Sequence, residues 1–324
     1  MSKTPIPAPI ETPIETPIQA KTTTSANTTR LRQVEEILLA RATSDGEGVQ
    51  LKRVFGGNDL TRFDPFLMLD EFGSDEAADY IGGFPPHPHR GFETVTYMLE
   101  GLMEHRDHMG NVGRLQPGDV QWMKAGSGVI HSEMPQQAEG RMRGFQLWVN
   151  LPAAEKMTPA TYCDLSATAI PHYQFGQIKL KAIAGKLAVD GIQITGAVTG
   201  LTTDPAYLDL QFAAGQTALI SLPENYTALV YVYEGSAVIG DPPFEGSADM
   251  RMAVNAGQLA RLTRGDSISL GGQAGTRVLV ITGKPIGEPI VHYGPFVMNS
   301  VQQIEQAIQD YRSGKLVSPS AAIR

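Results

Sequence analysis

Residues 95–101 read VTYMLEG and residues 229–235 read LVYVYEG; each is a run of β-formers closed by the same Glu-Gly turn, and the pairing decides the fold. A second echo sets LQPGD at 115–119 against LTRGD at 262–266. Self-similarity on this scale marks a duplicated unit. Each copy runs strand, Glu-Gly turn, strand, then a Gly-Asp turn into a further strand, the grammar of a small antiparallel jelly roll. Short runs such as GDVQWMKAG, FQLWVNL and RVLVITG fill the chain from Leu31 onward. The expectation is an all-β protein of two tandem jelly-roll barrels. One helix is expected near the end, where Val301, Ile304, Ala307, Ile308 and Tyr311 recur at helical spacing behind the capping residues Asn299 and Ser300, with Gly314 as its stop.

Working outward, residues 1–30 carry the repeat IETPIETPI in a Pro/Thr/Ala background with no periodic apolar face, and are expected to be a disordered tail. The first barrel is assigned to residues 31–155 and the second to 156–290, the break falling in the proline-bearing LPAAEKMTPATY. A C-terminal segment with the helix occupies 291–324.

The 324 residues include 26 Lys and Arg against 34 Asp and Glu, a net charge of −8. Such a balance gives no cationic footprint for nucleic acid, so direct nucleic-acid binding is excluded from the expectation. Cys163 is the single cysteine, which removes a disulfide framework and any Cys-rich zinc site. A metal must therefore be held by histidine and carboxylate. No run reaches the about 20 apolar residues of a membrane span, and the expectation is a cytoplasmic monomer that meets no membrane.

The two copies differ in their chemistry. HPHRGFETVTY places His87 and His89 two apart, and GVIHSEMP places His131 and Glu133 two apart. On extended backbone such pairs leave one face, so neighbouring strands would bring three imidazoles and a carboxylate to one point. That donor set suits Fe, Mn, Ni, Cu or Zn with positions left open. Superposing Tyr97 on Tyr231 puts Ser221 and Pro223 at the first pair, and superposing Gly118 on Gly265 puts Val278 and Val280 at the second. All four donors vanish together, so one metal per chain is expected and the second barrel is read as a metal-free support. Glu93, an even number of residues from His89, is a candidate for either a ligand or an acceptor that orients a ligand imidazole, and is assigned to the second. His105 and His108, in EHRDHMGN, are read as exposed turn residues and His172 and His292 as structural; Phe92, Met123 and Met134, near the ligands in sequence, either shape a pocket for a flat aromatic or belong to the barrel core, and are assigned to the core.

YIGGFPPHPHRGFETVTYMLEG, QPGDVQWMKAGSGVIHSEMP and YGPFVMNSVQQIEQAIQDYRSGKL, with DPFLMLDEFG upstream, resemble the pirin family of two-domain cupins from about Leu31 to Leu316. The resemblance implies two tandem cupin domains. It also implies one metal, Fe(II), held by His87, His89, His131 and Glu133. It implies either a quercetin 2,3-dioxygenase that uses a flavonol and dioxygen, with Glu133 as catalytic base, or an iron-dependent redox-sensing regulator that binds a transcription factor or metabolic enzyme. Lys124 stands where small polar residues are common in such proteins, and is read as altering the pocket entrance.

Overall fold

The structure, a computed structural model, describes residues 29–57, 59–241 and 251–317. The tail expected over residues 1–30 lies, but for Thr29 and Arg30, outside the described residues. Two β-sandwich units account for nearly all of the rest. In the first, a seven-stranded sheet runs in the order Thr161–Leu165, Val120–Lys124, Phe92–Glu100, Met142–Asn150, Phe66–Ser74, Val49–Phe55, Arg41–Asp45. It faces a four-stranded sheet of Phe84–His89, Val129–Pro135, Met103–Asp107 and Val112–Leu115. The second unit pairs another seven-stranded sheet, centred on Thr227–Glu234 and Arg277–Gly283, with a six-stranded one that includes Gln216–Ser221 and Ser267–Gly272. The units exchange strands at their ends. Val34–Leu39 pairs with Gln258–Leu262 of the second unit, whereas Thr161–Leu165 pairs with Val120–Lys124 of the first.

The two seven-stranded sheets pack back to back. Val95, Tyr97, Phe145, Leu147 and Val149 of one meet Tyr207, Leu229, Tyr231, Leu279 and Ile281 of the other in a single buried cluster. Both faces of these sheets are thus covered, which explains why their strands read as continuous apolar runs rather than as alternations. Polar contacts at this seam are reciprocal: the Tyr97 hydroxyl donates to Asp209 at 2.7 Å, and the Tyr231 hydroxyl donates to Glu71 at 2.6 Å. Arg143 closes the seam with its Nε and Nη2 on Glu71 at 2.9 and 2.7 Å and its Nη1 on Glu234 at 2.6 Å.

With the odd-numbered residues of Met142–Asn150 spent on the seam, Gln146 and Trp148 point the other way, into the first sandwich. The matching strand of the second unit, Arg277–Gly283, sends Val278 and Val280 inward instead, onto Leu208, Leu210, Val230 and Val232. One interior is therefore part polar and the other packed with apolar side chains, mostly aliphatic with Phe175 and Phe212 among them.

The Tyr97–Tyr231 superposition holds on the strand itself, because each residue is flanked by corresponding neighbours, but it does not extend back to Ser221 and Pro223: Ile220 faces the core and Pro223 lies past the end of its strand. The Gly118–Gly265 superposition does not. Gly118 leads into Val120–Lys124, while Gly265 leads into Ser267–Gly272, the strand that pairs with Gln216–Ser221 as Val129–Pro135 pairs with Phe84–His89. A Gly-Asp pair suits any tight turn, here one that carries the chain from one sheet to the other, so it identifies a turn and not a particular one. Where the first unit sets His87 opposite His131, the corresponding sheet of the second sets Ile220 opposite Ile268 toward its core.

The helix spans Val301–Arg312, capped by Ser300, whose side chain accepts from the Gln303 amide, and followed by Gly314 at φ 70. It packs on the first unit through Ile304, Ala307 and Ile308 against Ile130. Val301 and Tyr311, expected on the buried stripe, are 56% and 42% exposed, because the helix lies against the short strands Val291–Tyr293 and Phe296–Met298, which leave only Ile304 and Ala307 buried. Arg90, buried, donates to Asp310 at 2.7 Å and to the Ser127 carbonyl at 2.5 Å. No helix among the described residues is long and apolar enough to cross a membrane.

Candidate metal centre

His87 and His89 sit on FPPHPH, whose prolines cannot donate to a ladder. The strand is accordingly an edge, hydrogen-bonded only to Val129–Pro135. Cross-strand register puts His131 opposite His87, and an irregularity then sets Glu133 opposite Phe84. The three imidazoles converge: their donor atoms lie within 4.8 Å of one another, and ring centroids are 4.3 to 4.9 Å apart. This is the one group of three or more such side chains among the described residues with ligand spacing. His89 and His131 are 5% and 3% exposed. Burial, and secondarily the neighbouring imidazoles, hold both well below the ordinary histidine range, so each keeps a neutral ring with a lone pair to give.

The remaining ring atoms show what the cluster fits. His87 Nδ1 donates to the Pro85 carbonyl at 2.8 Å, so Nε2 is the ring nitrogen available to ligate. His131 Nε2 and His89 Nδ1 are buried with no hydrogen-bond partner. Buried polar atoms are seldom left so. Three convergent imidazole nitrogens are a donor set for a divalent transition metal, and an ion at their centre would satisfy the orphaned atoms.

Glu133 is buried beside them but is not part of the 4.8 Å group. Its Oε1 accepts from the Thr96 hydroxyl at 2.8 Å and its Oε2 from the Gln146 amide at 3.0 Å. Thr96 and Gln146 are site residues that sequence reasoning missed, because each lies in a strand that reads as an apolar run and far along the chain from Glu133. His105 is a correction. It is fully buried on Met103–Asp107, opposite Glu133, with Nε2 2.9 Å from His131 Nδ1. The turn comes later, where Asp107 caps the amides of Met109 and Asn111. His108 lies in that turn and accepts from the Ile130 amide at 3.3 Å.

Glu93 is also misassigned by sequence. Counting an even number of residues from His89 assumes one continuous strand, but Gly91, at φ 91, turns the chain from the small sheet into the large one. Glu93 therefore accepts from Trp122 Nε1 at 3.2 Å and from no histidine among the described residues. Burial pushes its carboxyl up to about 7, against the pull of the Trp122 N–H and Lys124. Lys124 itself pairs with Glu155 at 2.7 Å and does not line the cavity.

That cavity holds about 570 Å³ and ends on His87, His89 and Glu133. Leu51, Leu67, Phe72 and Trp148 form an apolar wall, and Arg53, doubly hydrogen-bonded to Asp70 at 3.0 and 2.8 Å, stands on another side. Phe92, Met123 and Met134 are absent from the lining. His292 and Pro295, from the C-terminal segment, border the opening instead; His292 meets the Trp148 ring edge-on at 6.3 Å.

Residues 48–149 match the pirin domain and residues 207–317 the pirin C-terminal cupin domain. A Pseudomonas aeruginosa protein named "Putative quercetin 2,3-dioxygenase" is 53% identical over 289 residues, covering 89% of this chain and 99% of the relative. Rat pirin is 38% identical, covering 88% of this chain and 93% of its own. The solved structure of quercetin 2,3-dioxygenase from Acinetobacter baumannii superposes with a TM-score of 0.78 at 34% identity, covering 89% of this chain and 99% of that one. With both of its sandwiches matched and its full-length relatives aligned nearly end to end, the chain belongs to the pirin family of two-domain cupins.

Proposed function

We propose that the protein is a mononuclear metal dioxygenase that opens a flavonol such as quercetin, with Fe(II) held by His87, His89 and His131 and with Glu133 as the fourth donor. The observation that carries this reading is an apolar-walled cavity of about 570 Å³ that ends on the buried Glu133 carboxylate and on His87 and His89, two of the three convergent imidazoles. That volume lies in the range used for drug-sized ligands, roughly 300–1,000 Å³. The bound metal would supply Lewis acidity toward the substrate oxygen and one-electron exchange with dioxygen.

Everything else falls to the side chains. Leu51, Phe72 and Trp148 take the flat rings and exclude water from the reacting end. Each Glu133 oxygen keeps a second lone pair beyond the one given to Thr96 or Gln146, so the carboxylate takes the proton of the 3-hydroxyl. Thr96 and Gln146 fix where that carboxylate points. The reaction consumes one dioxygen and releases carbon monoxide as the central ring opens. Metal-replete protein given quercetin in an oxygen electrode should consume dioxygen, and His131→Ala, with unchanged circular dichroism, should not. A metal-replete wild type without flavonol-dependent uptake refutes the proposal.

A further inference from the structure

His87 and His131 are held by different kinds of partner. The Pro85 carbonyl only accepts, so it allows His87 one tautomer. His131 faces another imidazole, and His105 Nε2 is able either to accept from His131 Nδ1 or to donate to it across the same 2.9 Å. The two directions have opposite consequences. If His105 donates, the His131 proton lies on Nε2 and neither nitrogen has a lone pair left for an ion. If His105 accepts, the proton lies on Nδ1 and Nε2, the buried atom without a partner, is free to ligate. His105 itself is wholly buried, stacked at 6.0 Å on Tyr162, and its own Nδ1 has no partner in either arrangement. Burial holds it, too, below the ordinary histidine range.

We propose that His105 is a positioning residue which accepts the His131 Nδ1 proton and so holds His131 in its metal-binding tautomer. The inference rests on the reading of the triad as a metal site. Groups in this position typically alter metal affinity by about 10- to 100-fold.

The test uses the full chain, labelled with ¹⁵N-histidine and loaded with Zn(II), whose diamagnetism permits direct assignment of tautomers. In the wild type His131 should carry its proton on Nδ1, slow to exchange, and His105 should carry none on Nε2. His105→Leu should bind Zn(II) about 10- to 100-fold more weakly in a chelator competition and should lose the slow His131 proton. His105→Gln, whose amide oxygen accepts, should recover most of the affinity. Wild-type affinity in His105→Leu, or an equal loss in His105→Gln, overturns the inference. So does a wild-type spectrum with the proton on His105 Nε2, a result that does not depend on any variant folding. A wild type that binds no Zn(II) overturns the metal reading as a whole, and is distinguishable because no variant enters it.

Discussion

Replacing Glu93 with Gln should make the protein's stability insensitive to a proton that the wild type must lose. Glu93 is 3% exposed, with Trp122 Nε1 as its hydrogen-bond donor, and burial raises its carboxyl from 4.5 to about 7. A folded-state value above the unfolded one means that the native protein favours the protonated acid. The resulting stability is fully present below pH 4.5 and is lost as pH climbs through about 7. At 1.36 kcal/mol for each pH unit between those values, the ionised form costs about 3 kcal/mol above pH 7. Glutamine keeps the shape, stays neutral and still accepts from Trp122. Thermal melts of metal-free wild type and Glu93→Gln at pH 5 and pH 8 supply the double difference, in which all other titrations cancel. The advantage of Glu93→Gln should grow by about 2 to 3 kcal/mol between those pH values. A difference that does not change with pH refutes the reasoning and would mean that Lys124 already compensates the charge.

Removing both His87 and His89 by alanine substitution should take metal content, measured by plasma mass spectrometry, from one per chain to none; two metals in the wild type, or one in the double variant, would put the site elsewhere. Arg143→Met should cost about 3 to 5 kcal/mol in urea denaturation, because it leaves the buried Glu71 facing only the Tyr231 hydroxyl. The companion Arg143→Met/Glu71→Leu should recover most of that loss, and equal destabilisation of the two would assign the effect to packing instead.

Much of the centre was legible because a strand has period two: His87 with His89, and His131 with Glu133, announce a shared face by spacing alone. The same rule failed for Glu93, since it holds only while the strand continues, and Gly91 ends it. Thr96 and Gln146 stand 37 and 13 residues from the carboxylate they hold, and nothing local to either betrays the contact. His105 was hidden by polar, turn-like neighbours, although Met103, His105 and Asp107 share one face of their strand and all three are buried. The duplication was legible from its Tyr-bearing strands. The crossing of Val34–Leu39 into the second unit was not, because its partner strand lies more than two hundred residues away and pairing of that range leaves no mark on composition.

Tyr97 and Tyr231 each sit two strands from a carboxylate on their own sheet, Glu71 and Asp209 respectively, with Phe145 or Leu279 between. Yet each hydroxyl reaches the carboxylate of the opposite sheet. Contacts related in this way describe an approximate two-fold axis through the seam, the arrangement of an isologous dimer drawn into one polypeptide. In a dimer of identical chains, any substitution that filled one interior would fill the other. Tethering removes that constraint. One half is free to become a solid apolar scaffold, and the other to keep a polar interior that would be a stability liability for an unsupported sandwich.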